Sequence, residues 1–145
     1  MKKITALLSL VVLFACQPNV KPEDISKING YWEIEKVILA DGSEKTYQVN
    51  PTYDYIEIAN NKGFRKKVTP QLNGKYLVDN LSEAIEVKNE GDKVYLNYKT
   101  PFVTFKEELK LVSEGKMVLV NEADCEYHYK KAELLNLDSN GEKAK

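Results

Sequence analysis

Few side chains in this sequence could do chemistry, and most of them stand alone. There are two cysteines, Cys16 and Cys125, and a single histidine, His128. A thiol reacts as its thiolate, which needs a cationic or His neighbour to form readily at neutral pH. No such pattern surrounds Cys125, so it reads as a small core residue. His128 alternates with Glu126 and Lys130, opposite Cys125, Tyr127 and Tyr129, and is expected on a solvated face. Without clustered Cys or carboxylates it makes no metal site, and it forms no Ser–His or Cys–His couple. Glu107 and Glu108 are adjacent, so on a strand they point to opposite faces and cannot act as a catalytic pair. Lys62, Arg65, Lys66 and Lys67 form a basic cluster that alternation divides. Arg65 and Lys67 share one face, and Lys66 shares the other with Phe64 and Val68. The cluster reads as a solvated strand face or a guard against edge pairing. No enzymatic activity, catalytic residue, metal or cofactor is expected.

Cys16 is a different case. Met1-Lys2-Lys3 is followed by a 12-residue apolar run, Ile4 to Ala15 (ITALLSLVVLFA). A membrane-spanning helix needs about 20 such residues, so the run fits the central region of a secretory signal peptide. Leu13-Phe14-Ala15-Cys16 resembles a bacterial lipobox, with Leu three residues before the Cys and a small residue just before it. That resemblance implies removal of residues 1–15, and a Cys16 that carries a diacylglyceryl thioether and an acylated amine. Each buried CH₂ adds about 0.8 kcal/mol of membrane affinity, so two or three chains hold firmly. Gln17, rather than Asp, follows the Cys, which resembles the pattern sorted to the outer membrane of didermic bacteria. The expected location is therefore the cell envelope, lipid-anchored to the outer membrane, with the leaflet left open.

Charge agrees with a lipid anchor and excludes nucleic acid as a partner. The whole chain carries a net charge of -1, without the basic excess of a nucleic-acid binder. Loss of the signal leaves 19 basic against 22 acidic residues, a net charge of -3, so the body does not bind anionic headgroups by itself and the anchor must be the lipid.

The elements that must position any site follow from periodicity. Residues 16–27, with Pro18 and Pro22, read as a tether, with a single helical turn possible from Pro22 to about Asn29-Gly30. From Tyr31 onward the apolar pattern has period two. Turn signals divide it at Asp41-Gly42, Asn60-Asn61, Asn73-Gly74, Gly91-Asp92, Glu114-Gly115 and Ala123-Asp124. Strands are expected at 31–39, 52–59, 64–72, 75–78, 83–88, 93–99, 103–112, 116–121 and 125–133, with a further short one possible at 45–49. No amphipathic helix separates them, so parallel crossovers are excluded. The expectation is an all-β fold of 8–10 strands in a small antiparallel up-and-down β-barrel over 28–135. Residues 136–145 read as a disordered tail.

Asn29-Gly30-Tyr31-Trp32 places Gly-x-Trp at the entry to the first strand. This resembles the lipocalin signature. Glu108–Leu119 and Glu126–Lys131 are similar to the closing strands of small lipocalin-like lipoproteins of Bacteroidetes. The resemblance spans about 28–133. It implies that Gly30 and Trp32 pack the barrel base, with a cation from the last strand on the Trp ring. Members commonly use Arg there; the only Arg here is Arg65, so Lys130 or Lys131 must substitute. It also implies a small lipophilic ligand inside the barrel. Alternation gives the inward set for such a pocket as Ile34, Tyr98, Phe105, Leu109 and Tyr127, with Glu107 or Lys36 as the polar contact near the mouth. The nine tyrosines suit a pocket but are also ordinary strand residues. The alternative is a barrel filled by its own side chains, acting as an envelope interaction or accessory module with no small-molecule ligand. The protein partner is unspecified.

Overall fold

Period-two alternation produces the strands, and their pairing closes them on themselves. The computed structural model describes residues 20–132. A 3₁₀-helix (Pro22–Ile28) is followed by β1 (Gly30–Ile38), β2 (Glu44–Thr46), β3 (Tyr53–Ala59), β4 (Lys62–Pro70), β5 (Tyr76–Glu90), β6 (Lys93–Lys99), β7 (Thr104–Val112), β8 (Lys116–Asn121) and β9 (Glu126–Lys131). From β3 to β9 each strand pairs antiparallel with the next, β3 also pairs with β1, and β9 returns to β1. The result is a closed eight-stranded antiparallel barrel, which leaves no long free edge. β2 is a ninth, short strand that continues the wall beside β1 where β3 stops: Lys36–Ile38 pair with Glu44–Thr46. Below it, the Asn50 side chain donates to the Ile34 carbonyl at 2.7 Å, satisfying backbone that β3 does not reach.

The barrel has a sealed base and a mouth. The 3₁₀-helix and the β3–β4, β5–β6 and β7–β8 turns lie at the base. Residues 39–43, 47–52, 71–75, 100–103 and 122–125 connect strands at the mouth. Asn60 and Asn61, at φ 52° and 61°, form the two-residue left-handed turn that matches strand twist. Just beyond it, a Cβ on Gly63 would lie 1.8 Å from the Glu57 carbonyl oxygen, so no other residue fits there without moving backbone. Ile28, Trp32, Leu96, Met117 and Leu119 are fully buried and form the centre of the core. Ile25 joins them from the helix. The end of the expected tether is thus part of the base, because two isoleucines three residues apart give the helix an inner side.

Three irregularities depart from simple alternation. Register shifts lie between Ile34 and Lys36 in β1 and between Leu109 and Leu111 in β7, so Glu35 and Lys110 are extra residues. After each, the inward face changes parity. The third merges two expected strands: 75–78 and 83–88 are parts of the single β5. There, Lys66 and Val68 of β4 pair with Ser82 and Val78, leaving Asp79–Leu81 opposite Lys67 as a wide bulge. The outer wall carries its own aromatic cluster, with Tyr31 stacked on Tyr76 at 4.3 Å and tilted against Tyr55 at 4.7 Å.

Candidate functional site

The base is built around Trp32. Its indole Nε1 donates to the Ile28 carbonyl at 2.6 Å, which ties the strand to the helix. The Lys131 ammonium lies 4.3 Å from the Trp32 ring centroid and donates to the carbonyls of Asn29 (2.5 Å) and Lys27 (3.2 Å). Burial lowers the Lys131 pKa. Lys130 points the other way, 3.6 Å from Glu33. Gly30 makes room for the Lys131 stem: at φ 121°, a Cβ there would sit 3.0 Å from Lys131 Cε. Gly30→Ala is expected to cost about 1–3 kcal/mol from backbone strain alone. Urea denaturation of the variant checks this; a midpoint equal to wild type contradicts it.

Above this apolar base the lumen becomes polar. Arg65 of β4 points inward and is only 9% exposed. Its Nε donates to Glu83 at 2.5 Å, and its Nη1 lies 3.4 Å from both the Tyr98 hydroxyl and Glu107 Oε2. The guanidinium carbon lies 4.3 Å from the Tyr98 ring centroid, and that ring stacks on Phe105 at 4.7 Å. Beside this group Asp54, 4% exposed, has Lys67 Nζ 2.5 Å from Oδ1. That contact is an ion pair without a directed hydrogen bond. Each inward carboxylate of the cluster thus faces a cation, as buried charges require. Burial alone would lower the Arg65 pKa, but Tyr98, Glu83, Glu107 and Asp54 outweigh it and hold it above the ordinary arginine value. Burial keeps the Tyr98 and Tyr129 phenols well above their usual range.

This closed antiparallel barrel, with a buried Trp at its base, can be compared with known proteins. Residues 28–119 match the family model of the lipocalin-like domain. The chain belongs to the lipocalin-like domain family. A lipocalin-like protein from Bacteroides uniformis, known from its crystal structure, is similar at 11% identity, over 73% of this chain and 99% of its own, with a TM-score of 0.46. An uncharacterized protein from Bacteroides eggerthii is similar at 12% identity, over 72% and 98%, with a TM-score of 0.46. No curated protein matches.

The lipocalin-like barrel brings most of the expected pocket residues inside. Tyr98 and Phe105 stack in the polar storey, and Glu107 lies with them. Ile34 and Tyr127 are half-buried against the core, and the Tyr127 hydroxyl accepts from Asn121 at 3.2 Å. Leu109 belongs to the apolar core, 2% exposed. Lys36 does not belong to the set. The extra residue Glu35 reverses its face, so Lys36 lies outside, in register with His128 and paired with Glu44 at 3.0 Å. Glu107 is a second correction: it is 7% exposed, well inside the mouth. The third is Arg65. Arg65 and Lys67 do share a face, but it is the lumen, and Phe64 lies on the outer wall with Tyr55. Cys125, expected in the core, is a half-exposed free thiol in the β8–β9 turn. His128 is on the outer face, 3.1 Å from Glu126. Residues Cys16 and 136–145 lie outside the described part of the chain.

Arg65, Glu83 and Asp54 were invisible as site residues in the sequence. One signal was available: a single Arg against twenty Lys. A guanidinium holds its charge and its fork of donors when buried, where an ammonium neutralises readily.

The cluster should make stability pH-dependent. Burial raises the Glu107 pKa, and Arg65 and Tyr98 only partly offset that. The folded state therefore holds the Glu107 proton more tightly than the unfolded chain does. The stability this contributes is complete below the ordinary carboxylate pKa and is lost as pH rises through the raised value. Glu107→Gln is expected to gain stability relative to wild type between mildly acidic and neutral pH. Chemical denaturation at the two pH values checks this; an equal difference at both contradicts it.

Proposed function

We infer that this protein is a lipid-anchored envelope lipoprotein whose barrel is a packed module acting through its surface. One observation carries the second half: the lumen is occupied by the protein's own side chains. Trp32, Leu96, Met117 and Leu119 fill the base with no exposure, and Arg65 crosses above them to Glu83, Glu107 and Tyr98. An eight-stranded barrel can be filled in this way or hold one small ligand. A groove of ≈ 540 Å³ runs along β4–β7, lined by the outward-facing Lys62, Glu86, Asn97 and Lys106 together with Ile85, Tyr98 and Phe105 of the inward face. Native mass spectrometry of the intact purified protein tests the reading. A mass equal to the lipidated chain supports it, and a retained small lipophilic molecule overturns it.

The first half rests on Leu13-Phe14-Ala15-Cys16 and the apolar run before it. Cys16→Ser is expected to abolish acylation and to move the protein out of the membrane fraction. Mass spectrometry of the wild-type membrane fraction provides the check; an unmodified Cys16 removes the anchor.

A second reading, a small lipophilic ligand, has one observation in its favour. Ile34, Phe105 and Tyr127 are only partly buried although they face inward above the core. They would make an apolar shelf over the Arg65 cluster. The same mass measurement decides between the two.

A further inference from the structure

β5 runs past the barrel wall to which it belongs. β4 pairs with it from Tyr76 to Glu86, but β6 pairs only with Ala84–Glu90. From Tyr76 to Glu83 the β6 side of β5 therefore has no strand partner among the described residues. Leu77 to Ser82 are all exposed, with Leu77 at 66% and Val78 at 49%. An exposed strand edge carrying apolar side chains is a template for another strand. The bulge at Asp79–Leu81 ends the regular part, so the usable edge is Lys75 to Asp79.

Backbone geometry fixes what this edge offers. The Gln71 N–H donates to the Lys75 carbonyl at 2.8 Å, and Leu77 is in register with Thr69. Alternate residues of an antiparallel strand turn their backbone groups to opposite sides. Lys75 and Leu77 thus address β4, and the N–H and C=O groups of Tyr76 and Val78 point away from it, out of the edge. Pro70, which has no N–H, lies opposite Tyr76, as this alternation requires. The Tyr76 ring, stacked on Tyr31 at 4.3 Å, fastens the hairpin stem to the outer wall.

The charges on the edge select its occupant. Lys75, Leu77 and Asp79 share the face that carries Lys67 and Thr69. Lys75 and Asp79 are about 13 Å apart along the strand, too far to pair with each other. Neither forms an ion pair among the described residues. Asp79 Oδ1 accepts from the Leu81 N–H at 3.2 Å, which leaves the other oxygen open. The remaining charged residues from 65 to 83 are engaged: Arg65 with Glu83, Lys67 with Asp54, and Lys66 over the Phe64 ring. A two-fold axis at Leu77 lays the same edge of a second copy antiparallel to this one. Lys75 of each copy then falls opposite Asp79 of the other, and Leu77 meets Leu77. Tyr76 of each exchanges both backbone bonds with Val78 of the other, so every outward group of those two residues is satisfied. An axis moved by one residue puts Lys75 opposite Leu77 or Leu81 and loses the charge match.

We propose that this edge pairs with the same edge of a second copy of the chain, two-fold about Leu77, joining two barrels through a four-stranded sheet. The contact is isologous and closes at two copies. It is small beside the about 1,600 Å² of a stable complex, so the pair is reversible and concentration-dependent. It depends neither on acylation of Cys16 nor on a filled lumen. The test uses the full chain carrying Cys125→Ser and one added cysteine under mild oxidation; the Cys125→Ser chain alone gives the baseline, including any contribution from Cys16. Across a non-hydrogen-bonded pair the Leu77 positions are about 4.5 Å apart, within disulfide reach. Leu77→Cys should form a covalent dimer about tenfold faster than Leu72→Cys, which is more exposed but lies in the turn, because pairing raises the local thiol concentration only near the axis. With Leu77→Cys present, Lys75→Asp or Asp79→Lys sets two like-charge pairs across the axis and should slow dimer formation about tenfold. Mixing those two variants should restore the rate, as a mixed dimer resolved by mass, with melts equal to the parent's. Equal rates at Leu77 and Leu72 overturn the proposal, as does mixing that fails to restore the rate. Oxidation in intact cells that gives a Leu77→Cys adduct of any mass other than twice the chain places a different strand on the edge and also overturns it.

Discussion

Trp32→Ala is expected to lower the unfolding free energy by about 3–5 kcal/mol, the usual cost of emptying a large aromatic site in a packed core. The site cannot collapse easily. Ile28 and the Lys131 stem approach from the helix and the last strand, and Lys131 is held there by the Lys27 and Asn29 carbonyls whether or not the ring is present. Removal of the ring leaves the Ile28 carbonyl without its donor and the Lys131 ammonium without its aromatic face. A loss of this size is a large share of the stability of a small domain. Equilibrium urea denaturation measures it. A loss below about 1 kcal/mol would show that the base tolerates an empty site and that the Gly-x-Trp pattern is incidental.

Arg65→Ala should cost a comparable amount, about 3–5 kcal/mol, for a different reason. The substitution removes the cation that faces Glu83 and Glu107, at 2.5 and 3.4 Å, and leaves the buried Glu107 and the partly buried Glu83 without an ion-pair partner among the described residues. The decisive comparison is a second variant, Arg65→Met with Glu83→Gln and Glu107→Gln. Removing the charges together should recover most of the loss, because a buried ion cluster is worth little more than well-packed neutral groups. If the triple variant is as unstable as Arg65→Ala, volume rather than charge governs the site. The same pair of variants reports on specificity. Wild-type barrels should show one set of sharp interior resonances, whereas an interior relieved of its charges should broaden if the cluster selects a single packing.

The barrel itself was legible in the residues. Alternation from Tyr31 onward, turn residues at regular intervals and the lack of helical crossovers require an antiparallel meander, and the observed strands follow them closely. A cation from the last strand on Trp32 was expected only through the family resemblance, which left Lys130 and Lys131 open; Lys131 lies over the ring. The polar storey was not. Arg65 and Glu107 are 42 positions apart and meet only across the closed lumen; either residue alone looks like a solvated or rim charge. Lys36 failed for another reason. Parity along a strand holds only until an extra residue is inserted, and Glu35 looks like any other outward residue until the β9 register is known. The long β5 was hidden because residues 79–82 lie outside any expected strand, and here Asp79–Leu81 form a bulge in a continuing strand.

Closure of β1 on β9 also sets a schedule for the chain. Lys131 reaches back 102 residues to the Asn29 carbonyl, and the pairs that seal the wall join the first strand to the last. During synthesis, no shorter segment can finish burying Trp32, since its final neighbour, Lys131, belongs to β9. Contacts so distant in the chain form late and slowly. A nascent chain therefore keeps its barrel open until β9 has been made.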